Sequence, residues 1–134
     1  MEYTFSTAFR GSFDEAIVAT TEALQARGFG ILSDIDVSAT LKKKLGEDYP
    51  PYRILGACNP SMAFRALQAE PKIGAMLPCN VIVRETESGV EVSAVDPVAS
   101  MQAVENSRLA EIASQVRSML EEAISDLAAR SVKR

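Results

Sequence analysis

Two short phrases hold the residue types in this chain that could do chemistry, Gly56-Ala57-Cys58-Asn59-Pro60 and Leu77-Pro78-Cys79-Asn80, and they contain both of its cysteines. A cysteine can act as a small buried hydrophobe, as a reactive thiolate, or as a ligand for a soft metal ion. A neighbouring asparagine adds an amide donor and acceptor. In the thiolate reading, a cysteine at the start of the helix after Asn59-Pro60 gains from the helix-terminal amides and reacts, or pairs with the other thiol. In the metal reading, Cys58 and Cys79 hold Cu(I) or a similar ion with Met76 or Met101.

The rest of the composition narrows these choices. There is no histidine, which excludes Ser-His-Asp and Cys-His nucleophile systems and leaves too few ligands for an ordinary zinc site. No Walker-type or dinucleotide glycine loop is present. Asp34 and Asp36 lie two apart and could mimic a carboxylate pair, but no partner for them is evident and solvent exposure explains them. Asn59 before Pro60 reads first as a helix cap.

With 134 residues, 47% apolar and 24% charged, the chain fits one soluble domain spanning 1–134 with an aliphatic core. Basic residues number 14 against 18 acidic, for a net charge of −4, and the only basic run, Lys42-Lys43-Lys44, suits a solvated helix face. That balance argues against a nucleic-acid partner. No window approaches the roughly 18 apolar residues of a membrane span and the N-terminus lacks a targeting pattern, so a cytoplasmic location is expected. In such a reducing compartment the cysteines should be thiols rather than a structural disulfide.

These residues need a scaffold, and the periodicity supplies one. Glu2 to Phe9 alternates with Tyr3, Phe5, Thr7 and Phe9 on one face, as a strand does. Ser12 and Glu15 form a capping box for a helix to about Arg27, which Gly28 stops. Gly30 to Val37 reads as a second strand with Ile31, Ser33, Ile35 and Val37 on one face and the two aspartates on the other. Ser38 caps a short helix through Leu45, and Glu47 to Pro51 is a loop that its prolines keep out of any backbone ladder.

Tyr52 to Cys58 is a third strand, and Asn59-Pro60 starts a helix that Glu70-Pro71 ends. Lys72 to Met76 is a connector, Pro78 leads a fourth strand to Thr86, and Ser88-Gly89 turns it into a fifth from Val90 to Val95. After a link from Asp96-Pro97 through Met101, a long helix begins near Val104 to Ser107. Leu109, Ile112, Ala113, Val116, Met119, Leu120, Ala123, Ile124 and Leu127 give it one wide apolar face about 40 Å long. The tail Ser131 to Arg134 reads as frayed.

The expected fold is therefore α+β, in the order β-α-β-α-β-α-β-β-α. A mainly antiparallel five-stranded sheet carries helices on one face, and the long C-terminal helix packs across it. If the third and fourth strands are antiparallel neighbours, Cys58 and Cys79 come to one edge despite 21 positions of separation. By parity Cys58 shares a face with Tyr52, Ile54 and Gly56, and Cys79 with Val81 and Val83; both thiols are expected to face the core. Gly56, without a side chain, permits a close approach from a backbone or a ligand.

Tyr52-Arg53-Ile54-Leu55-Gly56-Ala57-Cys58-Asn59-Pro60, Ala66-Leu67, Ile73-Gly74, Leu77-Pro78-Cys79-Asn80-Val81 and Val95-Asp96-Pro97, in that order, resemble the bacterial and archaeal domain of unknown function 302 family. The resemblance implies a fold similar to the TATA-binding-protein arrangement, commonly assembled as a homodimer, with no established activity. Similarity to a DNA-binding fold does not imply DNA binding. The leading expectation is a homodimeric ligand-binding or sensing module. Its site lies at the edge holding Cys58, Asn59, Cys79 and Asn80, with Met101 as a lid and a small molecule or soft metal ion as the partner. No catalytic residue and no particular cofactor or metal is assigned. The alternatives are a thiol-dependent redox or sulfur-handling protein that uses Cys58 or Cys79, and a structural interaction domain without a ligand.

Overall fold

The computed structural model describes residues 2–130; the expected frayed tail, Ser131 to Arg134, lies outside them. Five strands form one antiparallel sheet in the order β1-β5-β4-β3-β2: β1 (Thr4–Phe9), β2 (Gly30–Asp36), β3 (Tyr52–Cys58), β4 (Cys79–Thr86) and β5 (Gly89–Val95). The helices are α1 (Phe13–Ala26), α2 (Val37–Leu45), α3 (Pro60–Ala69), the one-turn α4 (Pro97–Ser100) and the long α5 (Ser107–Arg130), with a 3₁₀ segment over Pro71–Met76. Among the described residues no helix is long and apolar enough to cross a membrane.

Local chemistry explains most boundaries. The capping box before α1 is formed, with the Glu15 amide donating to Ser12 Oγ at 3.1 Å and the Ser12 amide to Glu15 Oε1 at 2.7 Å. Gly28, at φ +86°, ends the turn after α1. At the start of α3 the Met62 amide donates to Asn59 Oδ1 at 3.1 Å, as an asparagine cap followed by proline should allow. Asn106 accepts from the Arg108 and Leu109 amides and so opens α5.

One sheet face builds the core. Phe9, Leu55, Ala57, Cys79, Val81, Val83, Val90, Val92 and Ala94 are buried there beneath α1 and α5. The predicted stripe of α5 is the one buried, from Leu109 to Leu127, with Met119 packed at its margin. Each fully buried aliphatic side chain contributes roughly 1.5–3 kcal/mol. Arg27 at the end of α1 ties that helix to α5 through Asp126 at 2.8 Å and Glu122 at 2.7 Å.

Strand β2 departs from the expected pattern. A bulge between Ile31 and Ser33 inserts an extra residue, so Ile31 pairs with Ala57 on the core side while Ile35 pairs with Ile54 on the opposite side and is exposed. A two-residue period cannot survive such an insertion. Asp34 is exposed as expected but has a partner: Arg53 forks onto both of its oxygens, and that hydrogen-bonded guanidinium pulls the Asp34 carboxyl below its usual range. Asp36, rather than Ser38, caps α2, accepting from the Ala39 amide at 2.9 Å; the Ser38 hydroxyl donates to the Pro50 carbonyl instead. The first strand begins at Thr4, so Tyr3 does not join Phe5 on the core face and is 67% exposed.

Candidate functional site

β3 and β4 run antiparallel, and their register sets Ala57 against Cys79 and Gly56 against Asn80. Cys58 pairs instead with Gly30 on the other side of β3. Because side chains alternate along a strand, Cys79 belongs to the core face while Cys58, one residue beyond Ala57, belongs to the other. The expected pairing of the thiols is therefore not met, and neither is a shared core orientation. Both are free, Cys79 buried and Cys58 half-buried. A parity count within each strand could not reveal this, because the answer depends on which residues the register sets opposite each other.

Four of the five residues singled out in the sequence nevertheless border one cavity: Cys58, Asn59, Cys79 and Met101. It lies between α3 and α5, with Met62, Ala63 and Ala66 from α3 and Ile112, Ala113 and Val116 from α5 in its walls. Its volume is about 30 Å³, room for a water or two by size, but apolar walls offer such waters few partners. Burial, with a smaller contribution from repulsion by Cys58, pushes the Cys79 thiol up to about 11. Cys79 is thus a protonated thiol at neutral pH, the opposite of an activated nucleophile.

Asn80 does not join this group. It follows Cys79 on β4, so its side chain belongs to the helix-free face, where it is exposed. Met76, the other methionine considered as a soft ligand, is 43% exposed and does not border the cavity. Among the described residues no three carboxylates or thiols gather as a metal site.

Gly56 has the role its lack of a side chain allows. A Cβ there would collide with Ser33 Oγ and lie 2.7 Å from Pro78 Cγ. The Pro78 ring, on a cis Leu77-Pro78 bond, thus covers Gly56, and the close neighbours are protein groups. Asp96 accepts from the Val98 amide at 2.9 Å to cap α4 and pairs with Arg117 of α5 at 3.1 Å. Its own amide donates to the Tyr3 carbonyl at 2.7 Å. These bonds hold the Asp96-to-Met101 link against α5 and so place Met101 over the cavity.

A family model described as "Domain of unknown function DUF302" matches residues 3–127. The chain belongs to the DUF302 family. A crystal structure of an uncharacterized conserved DUF302 protein from Bacillus stearothermophilus superposes with a TM-score of 0.85 at 25% identity, covering 98% of this chain and 100% of that one. No curated protein matches the chain. The two cysteine phrases, Pro78 and the Asp96-Pro97 corner all fall within the stretch matched as DUF302.

Proposed function

We propose that this DUF302 protein is a binding or sensing module for a small, largely apolar molecule, taken up in the cavity between α3 and α5. The observation that carries this reading is the convergence of Cys58, Asn59, Cys79 and Met101, from three separate stretches of chain, on one apolar cavity. At about 30 Å³ the cavity as it stands is far below the roughly 150 Å³ that holds a benzene ring. Uptake therefore requires movement, and Met62 and Met101 are suited to it: unbranched thioether side chains change rotamer at little cost. Catalysis by thiolate is disfavoured by the raised Cys79 and by the absence of histidine.

Titration with indole, followed by protein-observed NMR and thermal shift, tests this. Saturable perturbation of α3 and α5 signals is expected, together with its loss in Ala63→Leu, whose longer side chain fills the space. A binding curve unchanged in Ala63→Leu, or no saturation while xenon still enters, would reduce the cavity to a packing imperfection.

A further inference from the structure

The helix-free face of the sheet carries a second and much larger hollow, of about 650 Å³, lined from β1, β5, β4 and β3 and by the loop before β3. All three tyrosines of the chain, Tyr3, Tyr49 and Tyr52, stand around it, although none of its five phenylalanines does. The volume falls in the range of organic-ligand sites, about 300–1,000 Å³. We propose that this hollow binds a neutral polyhydroxylated ligand of the saccharide class.

Four observations lead there. First, beside Ile82 and Val95 the floor carries hydrogen-bonding groups without net charge: Ser6 and Ser93 share a hydroxyl hydrogen bond of 2.7 Å, and Arg84 donates to Glu91 at 2.8 Å. That ion pair cancels the one guanidinium in the lining, so a phosphate or a nucleic-acid backbone would meet no uncompensated cation, while ligand hydroxyls would meet both a donor and an acceptor. Second, the Asn80 amide stands exposed in the same hollow with no hydrogen-bond partner among the described residues.

Third, Tyr49 and Tyr52 are inclined at 64° with ring centroids 6.2 Å apart. The two rings meet edge to face, and tyrosine offers an apolar face for the C–H surface of a sugar ring together with a hydroxyl that can bond its hydroxyls. Fourth, a second copy of the same face set hollow over hollow is the poorer occupant. An isologous interface brings identical patches together, and two hollows facing each other leave twice the void and bury the polar floor unpaired.

The chain has no tryptophan, so its intrinsic fluorescence comes from these three tyrosines and reports on the hollow directly. Titration with maltotriose, cellotriose and chitotriose at millimolar concentrations is expected to give a saturable change in tyrosine emission for at least one of them. Tyr49→Ala and Asn80→Ala, both at exposed positions, should weaken that binding by about tenfold or more with unchanged circular dichroism, whereas Ala63→Leu in the separate cavity should leave it intact. The proposal is overturned if none of the three sugars saturates, if both variants bind as well as the parent, or if adenosine saturates while the sugars do not. It is also overturned if sedimentation equilibrium shows a dimer that Asn80→Arg dissociates.

Discussion

At the scale of single residues, Cys79 and Asn80 are neighbours with opposite fates. Cys79 faces the core and Asn80 faces solvent, so one phrase serves two sides of the sheet. Burial raises the Cys79 thiol from an ordinary 9.0 to about 11. The unfolded chain then releases its proton from about pH 9 while the folded chain keeps it, so the folded state binds more protons between the two values. The stability this group contributes is complete below about pH 9 and is lost as pH rises to about 11, a fall of roughly 3 kcal/mol. Urea denaturation of the parent and of Cys79→Ala across that window checks it. The stability difference between them should shrink by about that amount as pH rises, and a constant difference would show that the thiol ionises as freely in the folded chain as in the unfolded one.

At the scale of elements, the corner at Asp96 shows how much a single cap can organise. The Asp96 side chain is 13% exposed, and it holds α4 by its cap and α5 by Arg117, whose guanidinium also lies 5.0 Å from the centre of the Phe5 ring. Asp36 caps α2 as well, but in an exposed setting. Asp96→Ala is therefore expected to cost about 1–3 kcal/mol, against about 0.5–1 for Asp36→Ala. Because Arg117 is 43% exposed, most of the extra loss comes from the cap and the half-buried carboxylate rather than from charge attraction. Urea midpoints of the two variants measure it, and equal costs would mean that Asp96 is an ordinary surface cap.

At the scale of the whole molecule, stability is distributed unevenly. β4 and β5 occupy the middle of the sheet and bury Val81, Val83, Val92 and Ala94 completely, whereas β2 is an edge strand and α2 has no buried residue. Little apolar burial opposes opening of the β2–α2 corner, so its amides should exchange with solvent through local opening while those of β4 and β5 wait for global unfolding. Native-state hydrogen exchange should rank β2 and α2 well below β4, and equal protection would mean that the corner unfolds only with the rest.

The sequence by itself determined what is local. The Ser12-Glu15 box, the Asn59-Pro60 start of α3, the Ser88-Gly89 hairpin and the stripe of α5 each follow from side chains within a few residues of one another, which is why their positions matched. The antiparallel neighbourhood of β3 and β4 followed from their alternation. Only the tertiary structure decided how the strand residues face. Register set Cys79 against Ala57 and left Cys58 on the other side, the bulge in β2 inverted Ile35, and Pro78 closed over Gly56. The gathering of three tyrosines, 46 and 3 positions apart along the chain, around one open hollow was likewise invisible in the order of residues. The physical reason is common to these cases: periodicity assigns a residue to one of two faces, but which face is covered and what stands opposite depend on pairing between distant strands.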